Sequence, residues 1–114
     1  MMGTAEEVCA SSCTVDYVQA GLRVLEGRWK LVIVSHLFRN SLLRFSELER
    51  LIPGITQKML IQQLRALEAD GVVERIAHPV VPPHVEYRLT PDGLGLEGAL
   101  IALDDWARTR HQPA

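Results

Sequence analysis

Lys58, Gln62 and Arg65 recur three to four residues apart in the stretch GITQKMLIQQLRALEADG, residues 54–71. On a helix, at about 100° per residue, they share one strip with Ala69, opposite an apolar face of Leu60, Leu64 and Leu67. Amides and cations at that spacing can donate hydrogen bonds to phosphate and to the edges of bases. The acids of the same stretch, Glu68 and Asp70, come only in its last turn. A helix macrodipole favours the reverse order, acids first and cations last. A negative partner near the helix start would remove the conflict, and a nucleic acid is such a partner. Taken by itself, such a strip is more often an ordinary solvated helix face.

Other residues with chemical potential are few. Cys13 lies just before the first expected helix, where the helix field lowers a thiol pKa and raises its reactivity. Cys9 is the weaker thiol, suited at most to a resolving role, and an idle or buried Cys13 is the competing reading. These two cysteines and the four histidines match no recognised zinc spacing, so no metal site is expected, and His36 is expected to pack at the end of an apolar segment. GLGLEG, residues 93–98, matches a dinucleotide fingerprint literally. That fingerprint needs a strand, a turn and a helix inside a βαβ unit. Here Thr90-Pro91 opens the last helix of the sequence instead, so no cofactor is expected. No nucleophile–base pair is recognisable, which argues against an enzyme.

The 114 residues make one domain with enough apolar content for a modest core. The net charge of −2 excludes a generally basic nucleic-acid binder, so contact with an anion must come from a local patch. No apolar run reaches membrane-spanning length, and the acidic N-terminus MMGTAEEVCASSC lacks a signal-peptide pattern. A soluble, cytoplasmic protein without membrane contact is expected. It divides into a flexible tail at 1–12, a domain at 13–110 and a short tail at 111–114.

The elements that must position the strip follow from periodicity and punctuation. Thr14 to Leu25 spaces Val15, Val18, Leu22 and Leu25 as a helix, with a stop at Gly27. Trp29 to Phe38 is so apolar that strand and buried helix cannot be told apart by period. RFSELERLIPG predicts a short helix capped by Ser46, with Leu48 and Leu51 inward. After a tight turn the strip-bearing helix runs from a Thr56 cap to Gly71. VVERIA and VEYRL flank a proline-rich tip and predict a hairpin. A last helix begins at Thr90 with Pro91 in its first turn. Its Leu96, Leu100, Leu103 and Ala107 form one stripe while Leu94, Ile101 and Trp106 lie off it. One small protomer can scarcely cover both sides, so a partner helix is implied.

A short helix turned into a longer one and followed by a hairpin is a winged helix-turn-helix, mainly α with a small β-hairpin. In that motif the second helix enters the major groove. The residues placed to touch DNA are Thr56, Gln57, Lys58, Ile61, Gln62 and Arg65 on the long helix. Arg44 and Ser46 stand at the start of the short one, where amides can hold a phosphate. His84 and Arg88 stand on the wing, where a solvated surface is the alternative.

RFSELERLIPGITQKMLIQQLRALEADGVVER, PPHVEYRLTPDG and EGRWKLVIVSHLF together resemble the HxlR-type family of bacterial transcription regulators, relatives of the MarR group. The resemblance runs from about Cys13 to Trp106. It implies that Trp29 to Phe38 is a buried helix. It implies a homodimer through the first and last helices, here Leu96, Leu100, Leu103 and Trp106, binding a pseudo-palindromic double-stranded DNA operator. It also points to Cys13 as a sensor of oxidants or electrophiles, with a small-molecule effector as the other candidate gate. The sequence departs from the family in having Cys13-Thr14 for Cys-Pro, Thr56-Gln57-Lys58 for Ser-Pro-Lys, and His84 where the wing often carries arginine. The competing function is a winged-helix protein–protein adaptor that reads no DNA sequence.

Overall fold

The structure, a computed structural model, describes residues 15–110. The two tails, Cys9 and Cys13 fall outside that range. The first helix, α1, covers 15–24, and then come α2 (Lys30–Arg39), β1 (Leu43–Arg44), α3 (Phe45–Leu51) and α4 (Gln57–Ala69). The chain continues through β2 (Val73–His78), β3 (His84–Leu89), α5 (Pro91–Leu94) and α6 (Glu97–Arg110). None of the described helices is long and apolar enough to cross a membrane.

Trp29 to Phe38 is helix, and the strand alternative is thereby excluded. Ile33, Val34 and Leu37 are buried at helical spacing, while Leu31 on the other side is exposed. A strand would have placed Ile33 and Val34 on opposite faces. This helix lies at the centre of the core, against Leu48 of α3, Leu60, Leu64 and Leu67 of α4, and Tyr87 and Leu89 of β3. Each fully buried aliphatic side chain contributes about 1.5–3 kcal/mol. The α3–α4 angle is therefore held by apolar packing from below.

Helix α3 departs from expectation at both ends. Its N-cap is Arg44, so Ser46 is its second residue and does not cap it. Glu47 reaches back instead, its Oε1 accepting from the Arg44 backbone N–H at 2.7 Å. Leu51 is 41% exposed; Leu48 is the one buried residue of this seven-residue helix, with Phe45 packed part-buried beside the core.

Helix α4 begins and ends where its sequence signals predict. Thr56 Oγ accepts from the Met59 N–H at 3.1 Å. At the far end Gly71 adopts φ +77°. The Val72 N–H bonds Leu67 O and the Gly71 N–H bonds Glu68 O, each at 3.0 Å. This pairing is a Schellman closure, which glycine's freedom at positive φ permits.

The wing is a three-stranded antiparallel sheet in the order β1-β3-β2. Leu43 pairs with Tyr87, and Tyr87 with Arg75. The edge strand β1 is too short to show a period in the sequence.

The expected single last helix is two helices. Thr90 starts α5, its Oγ accepting from the Gly93 N–H at 3.0 Å and donating to Gly71 O at 2.6 Å. Bonds from Gly95 to Asp92 and from Leu96 to Gly93, both 3.1 Å, tighten the chain into a 3₁₀-like join before α6. Glycines at 93 and 95 weaken helix propensity there. Gly93 is also needed for fit, since a Cβ at that position would lie 2.2 Å from Val72 O. Leu96 in the join and Leu100 beyond it rest on the core, yet no residue of α6 is buried. Ile101, Leu103 and Trp106 are each more than half exposed. So are Val15, Tyr17, Val18 and Leu22 on α1. The radius of gyration is 17.3 Å, against about 13 Å for a compact chain of this length.

Candidate nucleic-acid interface

Helix α4 presents Gln57, Lys58, Gln62 and Arg65 to solvent, with Leu60, Leu64 and Leu67 beneath them in the core. Its first turn holds no acid and its last turn no base. The exposed N-terminal half is thus positive in side chains as well as in helix dipole. Thr56 is exposed too, but its Oγ is engaged as the cap. Ile61 is half-buried because it turns toward the wing.

A groove runs between α4 and the wing. Gln57, Ile61 and Arg65 form one wall, Arg75, Val85 and Tyr87 the other, and Pro83 and His84 close its outer end. The groove therefore reaches from part of the α4 strip to the His84 end of the wing, although by register His84 shares the other sheet face with Glu86, and Lys58 and Gln62 stand on the open face outside it. Arg75 is a functional candidate that sequence reasoning missed. It stands on the sheet face of Tyr87 and Leu43 by register. Strand alternation in VVERIA carries the signal, since Val73, Arg75 and Ala77 share a face. Glu68 also lines the groove, at its inner end, nearer the strip than its place in the last turn suggested. Among the described residues, Lys58, Arg65 and Arg75 form no ion pair.

The remaining candidates are placed less favourably. Arg44 is exposed at the start of α3, but by register it opposes Glu86 on the sheet face turned away from the groove. Ser46 is exposed one residue inside α3. Arg88 is not brought to the α4 strip. It donates to Glu74 Oε1 at 2.9 Å and lies beside α2 and α5. His84 stacks on His78, ring centroids 4.5 Å apart. Leu96 in the join and Leu100 on α6 are half-buried against the core, and Leu103 and Trp106 on α6 are exposed. The Arg110 guanidinium lies 4.8 Å from the Trp106 ring centre. His36 is half-buried near the end of α2, as expected.

Comparison with known proteins gives this arrangement a family. The HxlR-like helix-turn-helix family matches residues 24–114. The HTH-type transcriptional regulator YtcD of Bacillus subtilis (strain 168) is 56% identical over 89 residues, 78% of this chain and 70% of that protein. The solved structure of the redox regulator HypR in its reduced form superposes with a TM-score of 0.76 at 41% identity, covering 83% of this chain and 93% of that one. The reduced form of the transcriptional regulator YodB from B. subtilis gives 0.76 at 33% identity, with 84% and 93% covered. The third strand, the broken last helix and the α4–wing groove are thus features of a chain that belongs to the HxlR-like helix-turn-helix family of winged-helix transcription regulators.

Proposed function

We propose that the protein is a homodimeric regulator that binds a pseudo-palindromic operator, with α4 in the major groove and the wing beside it. The observation that carries this reading is the exposed, acid-free strip Gln57, Lys58, Gln62 and Arg65 on the second helix of the pair. Gln57 and Gln62 offer amides for base edges, while Lys58, Arg65 and Arg75 offer charge for phosphate or guanine. Dimerisation is supported by the apolar sides of α1 and α6 that the protomer leaves uncovered, and by its extended shape. Thiol gating is supported by the description of HypR as a redox regulator. In this chain the gate falls to Cys13, with Cys9 as the second thiol. Oxidation of Cys13, two residues ahead of α1, acts on the dimer helices and so on the separation of the two copies of α4.

The test is a salt titration of binding to DNA from upstream of the protein's own coding sequence, with random DNA in parallel. Binding should fall steeply with salt on both, as counterion release requires. The upstream site should retain the higher affinity throughout. Equal, weak binding to both DNAs would instead favour the adaptor function, which the negative net charge also permits.

A further inference from the structure

His78 and His84 are the last backbone pair of the wing hairpin. Residues directly opposed on an antiparallel ladder share a face, with Cβ atoms about 4.5–5.5 Å apart. Their rings stack at 4.5 Å between centroids and 25° between planes. Glu86, two residues beyond His84 and so on the same face, brings its Oε1 into direct contact with Nε2 of His78. One donor atom from each of the three residues lies within 4.8 Å of the others, and all three residues are half-buried. None of this is visible as a spacing motif, because the ladder register makes the cluster.

We propose that His78, His84 and Glu86 form a binding site for a divalent transition-metal ion, Zn²⁺ foremost. Two imidazoles and one carboxylate are a known zinc donor set with a position left for water. The same set accepts Co²⁺, Ni²⁺ and Cu²⁺. Donor atoms around a tetrahedral ion with bonds of about 2.0–2.1 Å stand about 3.3 Å apart, so the trio closes by small side-chain rotations. The entering ion replaces the His78–Glu86 contact, taking one lone pair from each of the three donors, and each neutral imidazole keeps its single N–H on the ring nitrogen that does not bind the metal. On the same face Arg44 opposes Glu86 from β1, and the other acid there, Glu74, is taken up by Arg88. With neutral imidazoles the trio carries one negative charge, and the ion makes it one positive. The ion would also link the two strands where backbone pairing stops, at a tip whose Pro79, Pro82 and Pro83 cannot donate to a ladder.

The experiment uses the tag-free full chain, stripped with chelator and kept reduced. Co²⁺ is titrated by visible absorption and Zn²⁺ by calorimetry, on wild type, His78→Ala, Glu86→Gln and a Cys9→Ser/Cys13→Ser double variant. Wild type and the double cysteine variant should take up metal in proportion to protomer. His78→Ala and Glu86→Gln should bind about tenfold more weakly or worse, since even loss of an outer-sphere partner costs 10–100-fold. Imidazole NMR resonances of wild type give a readout independent of variant folding, and those of His78 and His84 should shift with Zn²⁺. Absence of uptake, uptake unchanged in His78→Ala and Glu86→Gln, or uptake lost only in the cysteine variant would overturn the site. A Zn²⁺ shift confined to His36 or His111 would do the same.

Discussion

Gln62 stands exposed in the second turn of α4, in the half of the helix that reaches bases in a docked helix-turn-helix. An amide paired with adenine is worth about 1–3 kcal/mol of discrimination. Gln62→Ala should therefore lower operator affinity about tenfold while leaving random-DNA affinity nearly unchanged. Competition binding on the two DNAs measures the ratio. An unchanged ratio in a folded dimer would leave Gln62 as a solvated residue. Arg75 should behave differently. It stands in the α4–wing groove without an ion-pair partner among the described residues, whereas Arg44 opposes Glu86 on the other sheet face. Arg75→Ala should weaken operator and random DNA alike and flatten the salt dependence, by about one unit of slope for each phosphate the guanidinium neutralises. Arg44→Ala should flatten it less, and the reverse order would remove Arg75 from the interface. Lys58, Gln62 and Arg65 were legible in the sequence because helical period alone puts them opposite Leu60, Leu64 and Leu67. Arg75 and the His78–His84–Glu86 trio were not, because which strand residues meet depends on a register that only folding fixes.

At the scale of elements, the best-signalled parts are those with a cap at one end and a glycine at the other. Helix α4 has Thr56 and Gly71, and both perform as their types predict. Helix α3 has Ser46 near its start, yet the backbone enters the helix before that residue and Glu47 supplies the cap contact. Two-residue β1 carries no periodic signal at all and exists because β3 offers it an edge. The division of the last helix was hidden because glycine lowers helix propensity without saying where a chain will bend. The contact that locates the bend is tertiary, the close approach of Gly93 to Val72. Gly93→Ala should accordingly destabilise by about 1–3 kcal/mol, the range for overpacking a filled site. A urea titration should show the midpoint fall at constant slope. An unchanged midpoint would mean that Val72 yields freely.

For the whole molecule, the uncovered apolar sides of α1 and α6 predict a stable dimer. Light scattering at micromolar concentration should give twice the 12.7 kDa protomer mass, and Trp106→Glu should shift the population toward monomer. A well-folded wild-type monomer would dispose of the paired half-site arrangement. Operator affinity before and after mild peroxide treatment should drop for wild type and hold for Cys13→Ser. Equal affinity in all four states would leave a regulator without a thiol gate. The join at Gly95 then acquires a mechanical meaning. Helix α6, with 14 residues, is a lever about 21 Å long at 1.5 Å per residue. A tilt of about 10° at its root carries its tip roughly 4 Å, close to the 3.4 Å rise of one DNA step. In the proposed dimer, the angle fixed at this glycine join would thus set half-site spacing on the scale of one base-pair step.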